Sequence, residues 1–250
     1  MKITLITATY NSETSIKTCI ESVISQDYPE VEHLIIDGAS TDNTLLIVKD
    51  LQKKHNHITL ISEPDQGIYD ALNKGISKAT GEVIGFVHSD DFLASEHVLS
   101  EIALQFKKEI CDGVYGDLEY VDKQNTNKVI RYWKSCNFTP DMLKKGWMPA
   151  HPTLFLKKEI YKKHGIFDLN FKIAADYDFI LRIFKDEHLK FSYLPMVLTK
   201  MRTGGASNRS LKNIITKSKE DYKALKKNKI GGWPTLFIKN VSKLSQFYKK

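Results

Sequence analysis

His88-Ser89-Asp90-Asp91 directly follows an apolar run at residues 83–87. Adjacent carboxylates at such a position repel one another unless a cation or hydrogen bonds compensate. A divalent cation bridging diphosphate oxygens would compensate, and oxygen-only ligation suits Mg²⁺ or Mn²⁺. A bare Asp-Asp pair can equally cap the next helix. Its company favours chemistry, because three other apolar runs also end in polar residues: Thr9-Tyr10-Asn11, Asp37-Gly38-Ala39-Ser40 and Glu63-Pro64-Asp65-Gln66-Gly67. Asp37 could accept hydrogen bonds from a base or ribose, or serve as an Asp-Gly turn residue. Asp176 and Asp178, two apart at the start of a helical pattern, point to different faces. One can face a cleft and deprotonate an attacking hydroxyl while the other caps or meets solvent; the helix dipole alone would also favour acids there. His151 lies in a Pro-flanked loop with Trp147. An aromatic there can stack on a sugar face, which suggests an acceptor site, although a Trp is more often simply packed.

The elements that must position these residues alternate two periodicities. Apolar β-favouring runs at 3–8, 32–36, 58–61 and 83–87 are separated by helical spacings at 16–24, 45–51 and 68–76. Ser12 is the expected N-cap of the first helix. Strands alternating with helices over short connections imply a βαβ sheet, mainly parallel, whose ligands bind beyond the carboxyl ends of the strands. All four polar strand ends should therefore meet on one edge. In the second half, strands are expected at 113–122, 128–134, 153–156 and 191–197, with a helix over 174–185.

Composition bounds the alternatives. With 42% apolar and 27% charged residues among 250, the chain is a folded α/β protein, with no apolar stretch near the roughly 20 residues that cross a bilayer. Cys19, Cys111 and Cys136 are far apart and fit structural roles in a reducing cytoplasm. Neither G-x-G-x-x-G nor G-x-x-x-x-G-K-[ST] occurs, which argues against a dinucleotide oxidoreductase or P-loop NTPase. A nucleotidyltransferase should carry a Gly- and Lys/Arg-rich first loop, where this chain has Thr9-Tyr10-Asn11-Ser12-Glu13. The net charge of +7 is concentrated in residues 211–250, where eleven lysines oppose only Glu220 and Asp221. A basic tail, unlike a uniformly basic domain, does not point to nucleic acid. The expected division is a catalytic domain at 1–210 and a helical tail at 211–250. Within the tail, Leu236, Phe237, Ile238, Val241, Leu244, Phe247 and Tyr248 form an apolar stripe beside Lys239, Lys243, Lys249 and Lys250. A basic amphipathic helix over 231–250 can lie on an anionic membrane or dock on the domain with its lysines solvated.

Three segments together resemble family 2 glycosyltransferases of the GT-A fold: Ile6-Thr7-Ala8-Thr9-Tyr10-Asn11, Ile35-Ile36-Asp37-Gly38-Ala39-Ser40-Thr41-Asp42, and Ser62-Glu63-Pro64-Asp65-Gln66-Gly67-Ile68-Tyr69-Asp70-Ala71-Leu72-Asn73-Lys74-Gly75. Within that family the chain looks like bacterial enzymes that build capsule, exopolysaccharide or O-antigen repeats, and the resemblance runs from Lys2 to about Ser207. It implies an inverting, single-displacement transfer from a nucleotide diphosphate sugar, by default a UDP-sugar, to a hydroxyl of a glycan or lipid-linked acceptor. The donor residues it implies are Thr9, Tyr10, Asn11, Asp37, Asp65, Asp90 and Arg202, with Asp37 at the base. Asp90 and Asp91 match the metal-binding D-x-D region for Mn²⁺ or Mg²⁺, and Asp176 matches the catalytic base. His151 and Trp147 are the expected acceptor residues. His88 stands where relatives often have Asp or Asn, and Ala175 where many have Glu. Which of Asp90 and Asp91 touches the metal stays open. A cytoplasmic protein, peripheral on the inner face of the cell membrane through its tail, is the expected setting. A non-catalytic sugar-nucleotide binding module or a membrane-associated scaffold is the rival.

Overall fold

The computed structural model describes residues 1–204 and 211–242. Four strands, β1 (Ile3–Thr9), β2 (Val31–Asp37), β3 (Ile58–Ser62) and β4 (Val83–Phe86), run parallel in the order β3-β2-β1-β4. Helices α1 (Ile16–Ile24), α2 (Thr44–Gln52) and α3 (Ile68–Lys78) make the crossovers. Successive strand residues face opposite sides of a sheet. Accordingly Ile6, Leu34 and Ile36 pack with Leu72 of α3, whereas Leu5 and Val83 pack on the other face. β4 is buried on both faces, as its apolar run requires.

The sheet continues through β5 (Phe92–Leu93), β6 (Gly113–Val121), β7 (Val129–Trp133), β8 (Phe155–Lys157) and β9 (Phe191–Arg202), with the path β4-β8-β6-β9-β5 and β7 paired to β6. Here the pairing is mixed: β8 is antiparallel to β4 and β6, and β9 is parallel to β6. α4 (Val98–Lys108) packs its Leu99 and Ile102 on one face. α5 (Asp141–Lys144), α6 (Lys158–His164) and α7 (Ala175–Phe184) contribute Leu143, Ile160, Ile180 and Leu181 to the other. α8 (Leu211–Lys227) and α9 (Trp233–Ser242) close that face.

Four local expectations are corrected. α1 begins at Ile16, not after Ser12; the Ser12 carbonyl accepts the Ser15 and Ile16 N–H groups, and its hydroxyl bonds Ser89 Oγ at 3.0 Å. The strand expected at 153–156 is a 3₁₀ turn, His151–Thr153, followed by β8; Pro152 suits the first helical turn and cannot donate to a ladder. β9 runs to Arg202 because Leu198 and Thr199 are buried beside β6. The tail helices pack on the domain, one of the two dispositions expected of them: Ala224, Leu225 and Leu236 belong to the same core as α7. Lys239, expected to be solvated, is buried, 2.9 Å from Asp221 Oδ2 and 3.0 Å above the Tyr177 ring. Trp233, Phe237, Ile238 and Val241 form the exposed side of α9. Lys243, Leu244, Phe247, Tyr248, Lys249 and Lys250 lie outside the described residues, as do residues 205–210.

Candidate active site

In-register pairing of the parallel strands sets Thr9 beside Asp37 and Asp37 beside Ser62, and Ile6 beside Phe86. The polar residues after these strands therefore share one edge, where they border a cleft of about 590 Å³. Thr9, Tyr10, Asn11, Asp65, Asp90 and Arg202 all line it. Asn11 adopts a left-handed backbone with φ 48°, a region Asn tolerates better than most residues. Its side-chain Oδ1 accepts the Thr41 N–H at 2.9 Å, and its own N–H donates to Ser40 Oγ at 2.8 Å. The loop after β1 is thus tied to the loop after β2.

Asp37 does not line this cleft. It is fully buried, with Oδ1 accepting the Ser40 hydroxyl at 2.5 Å and Oδ2 accepting the Ser40 N–H and the Ser62 hydroxyl. In this structure Asp37 holds the cleft loops together, because its carboxylate lies at the strand end beneath them. Gly38 permits the next loop to approach: a Cβ there would lie 2.5 Å from Asp65 Oδ2. Asp65 Oδ1 in turn accepts the N–H of Gly67, whose φ of +113° favours glycine.

The Asp-Asp pair divides. Asp90 is half-buried and lines both this cleft and a neighbouring cavity of about 900 Å³. Asp91, the other expected metal ligand, is fully buried and lines neither. Its Oδ1 accepts the Arg202 N–H at 3.0 Å, and Oδ2 has no partner among the described residues. Burial first, and Asp90 second, push its carboxyl well above the ordinary Asp range. The cause of the division is long-range. β5 pairs antiparallel with β9, Phe92 opposite Lys200, and the chain just beyond that pairing brings Arg202 into hydrogen-bond contact with Asp90 and Asp91. The Arg202 guanidinium then donates to the Asp90 carbonyl at 2.5 Å and lies 5.0 Å from the Phe92 ring centre.

Asp176 lines the larger cavity from the first turn of α7. Tyr69 donates to Asp176 Oδ1 at 3.1 Å and to the Ile173 carbonyl at 2.7 Å. Burial, then the charge of Asp176, raises the Tyr69 phenol well above its usual range, so it remains a donor. Asp178 faces the other way, fully buried among Arg182, Lys227 and Asn228. The two acids thus take the two faces their spacing implies. Glu220 of α8 fixes the segment before Asp176 by accepting the N–H groups of Lys172, Ile173 and Ala174.

His151 lies in the cavity wall, its ring 5.0 Å from Phe86 and 6.0 Å from His88. Burial lowers both imidazoles, His151 to about 4, so both are uncharged at neutral pH. Trp147 is elsewhere. It packs against Tyr115, Phe138 and Phe184 and does not line the cavity. Trp133 on β7 lines the cavity instead, with Tyr120 and Arg131. Sequence reasoning passed over Tyr69, Glu220, Tyr120, Arg131 and Trp133. Only Tyr69 carried a usable signal, as part of the Gly67-Ile68-Tyr69-Asp70 segment.

A polar cleft at the sheet edge thus opens into a second cavity, with Asp90 at the junction and Asp176 positioned by Tyr69 beyond it, on a sheet flanked by helices that has the GT-A fold. The sequence profile described as Glycosyl transferase family 2 matches residues 4–167. The chain belongs to that family and is a glycosyltransferase. It is 30% identical to a PGL/p-HBAD biosynthesis glycosyltransferase of Mycobacterium bovis over 82% of this chain and 78% of that protein. It is 28% identical to chondroitin synthase of Pasteurella multocida over 85% of this chain but 22% of that protein. Among solved structures, S. aureus TarS in complex with UDP-GlcNAc superposes with a TM-score of 0.73 at 21% identity, covering 91% of this chain and 65% of that one. The mannosyltransferase PcManGT from Pyrobaculum calidifontis, in complex with GDP-Man and Mn²⁺, gives 0.68 at 19% identity, covering 98% and 70%.

Proposed function

We propose that this glycosyltransferase moves a sugar from a nucleotide diphosphate sugar, by default a UDP-sugar, to an acceptor hydroxyl with inversion, in the synthesis of a cell-surface polysaccharide or glycolipid. The observation that carries this reading is that two spaces of different character share Asp90 and Arg202 at their junction. The smaller cleft suits a nucleotide, the junction its diphosphate, and the larger cavity the donor sugar and the acceptor. The TarS and PcManGT structures hold nucleotide sugars on the same fold.

The residues at the junction fit a divalent cation. Among the described residues no cluster of three His, Cys, Asp or Glu side chains gathers to hold an ion. One carboxylate supplemented by diphosphate oxygens and water is an ordinary Mg²⁺ or Mn²⁺ set, and Asp90 is the carboxylate that faces the cleft. A cation there would supply charge neutralisation for the departing diphosphate.

Asp176 accepts the proton of the attacking hydroxyl. The acceptor oxygen bonds to the anomeric carbon as the bond to the diphosphate breaks, on opposite faces, so the configuration inverts. Arg202 stabilises negative charge on the leaving nucleoside diphosphate. Tyr69 keeps Asp176 oriented. Neutral His88 and His151 line the space without adding charge beside the base.

The exposed side of α9, together with the tail lysines, supports peripheral attachment to an anionic membrane, where a lipid-linked acceptor would be found. Among the described residues no helix is long and apolar enough to cross a membrane.

Calorimetric titration with UDP-GlcNAc, UDP-glucose, UDP-galactose and GDP-mannose, under Mn²⁺, Mg²⁺ or chelator, tests the donor reading. One donor should bind in a metal-dependent way, and Asp90→Ala should weaken it by at least about tenfold while Asp91→Asn keeps metal dependence. Absence of binding by all four under every condition would refute it.

A further inference from the structure

The larger cavity is unequally charged along its length. At the junction with the nucleotide cleft its charged side chains are Asp90 and Arg202. Beyond that junction Asp176 is the single carboxylate among the described lining residues, whereas Arg131, Lys172, Lys217 and Lys239 all border the space. Lys217 and Lys239 converge on one carboxylate oxygen, Asp221 Oδ2, at 3.0 and 2.9 Å. Both ammonium groups bring positive charge to this wall of the cavity.

Lys172 adds to it. Its side chain is exposed and makes no ion pair among the described residues. The nearby acid, Glu220, directs its oxygens at backbone N–H groups rather than at the Lys172 ammonium. Arg131 is held differently. Its guanidinium lies 4.7 Å from the Tyr120 ring centre and 5.6 Å from that of Trp133. Burial lowers its pKa, yet a guanidinium stays charged at any ordinary pH. A cation fixed by aromatic rings loses little freedom when it grips a planar or tetrahedral anion.

Aromatic faces and uncharged polar groups able to meet a neutral sugar are already supplied by His88, His151, Trp133 and Tyr120. An excess of cations beyond the base is instead complementary to a negative ligand.

We propose that the acceptor carries an anionic group, a phosphate or a carboxylate, near the hydroxyl that Asp176 deprotonates, and that Arg131 and Lys172 hold it. This rests on the glycosyltransferase reading of the same cavity, and it narrows the acceptor to a phosphate-bearing glycan, a phosphate-linked lipid carrier or a uronic-acid glycan. The anion also orients the acceptor by pulling it toward β7 and the start of α7, with its hydroxyl left facing Asp176.

The test is calorimetric titration of the full chain, saturated with UDP and Mn²⁺, with four probes: methyl glucoside, glucose 6-phosphate, decyl phosphate and glucuronate. At least one anionic probe should bind about tenfold or more tightly than methyl glucoside, and Arg131→Gln and Lys172→Gln should each weaken it about three- to tenfold with the UDP Kd unchanged. Preference for glucose 6-phosphate marks a phosphorylated glycan, for decyl phosphate a lipid carrier, and for glucuronate an acidic sugar. Thermal unfolding of both variants checks that they fold. Anionic probes that bind no better than methyl glucoside, or that ignore both substitutions, overturn the proposal. If UDP fails to bind while an anionic probe still depends on Arg131 and Lys172, the donor reading fails and the anion site stands.

Discussion

The smaller cleft is assembled from the ends of neighbouring parallel strands, whereas the larger cavity is assembled from segments far apart in the chain. In the first region Thr9, Asp37 and Ser62 are placed side by side by strand register alone. In the second, Asp176 is oriented by Tyr69, 107 residues earlier, and its loop is fixed by Glu220 from α8. The contrast teaches where each half is vulnerable. The cleft is a property of the sheet, while the cavity depends on the packing of α7, α8 and α9 against it. Substitutions should therefore separate donor binding from transfer.

The largest expected separation is at the base. Asp176→Asn should lower kcat by about 10²- to 10⁴-fold while the donor Kd stays within twofold, measured by transfer assay and calorimetry. Equal losses in both would break the division into two regions.

Packing of the helical extension comes next. Leu236→Ala removes a buried side chain from the core shared with α7 and should destabilise the protein by about 2–4 kcal/mol. Denaturant unfolding reads this directly, and hydrogen exchange should show the loss concentrated in α7–α9 rather than in β1–β4.

Acid should weaken the protein through its buried imidazoles. Burial lowers His33 to about 3 and His151 to about 4. Their folded values lie below the unfolded value near 6.5, so the unfolded chain binds more protons between them. Stability is therefore present above about pH 6.5 and falls as pH drops toward 4, by about 1.4 kcal/mol per pH unit for each group. Asp91, shifted upward by burial, acts in the opposite direction. Thermal unfolding across pH 4–7 checks the slope, and His151→Gln should reduce it.

The smallest effect is the sharpest probe of positioning. Tyr69→Phe deletes one hydrogen bond to Asp176 and should cost about 1 kcal/mol in kcat, roughly fivefold, with donor KM unchanged. A loss in kcat with the donor KM unchanged separates positioning of Asp176 from donor binding, and thermal unfolding checks that the variant folds.

Much of the first half was legible because parallel strands buried on both faces must read as apolar runs, and polar residues must follow where they end. The α/β class, the convergence of four strand ends, and the opposite faces of Asp176 and Asp178 all follow from such local periodicity. Trp147 shows where this stops. A tryptophan in a loop looks the same in sequence whether it meets a sugar or, as here, Phe138 and Phe184. The apolar stripe of the tail was equally visible, but burial of Lys239 depends on Asp221 and Tyr177 being in place.

By itself the sequence determined the family, the parallel half of the sheet and the set of acids from which a site could be made, because these are written in short motifs and in the two-residue and 3.6-residue repeats that backbone geometry imposes. Only the tertiary structure decided which acid faces which space. Asp90 faces the cleft and Asp91 the interior because β5 pairs with β9, a contact between residues more than a hundred positions apart. Asp37 is turned inward by Ser40 and Ser62. Arg131 and Lys172 reach one cavity because β7 and the segment before α7 border the same space. Such choices rest on long-range contacts that no local pattern encodes.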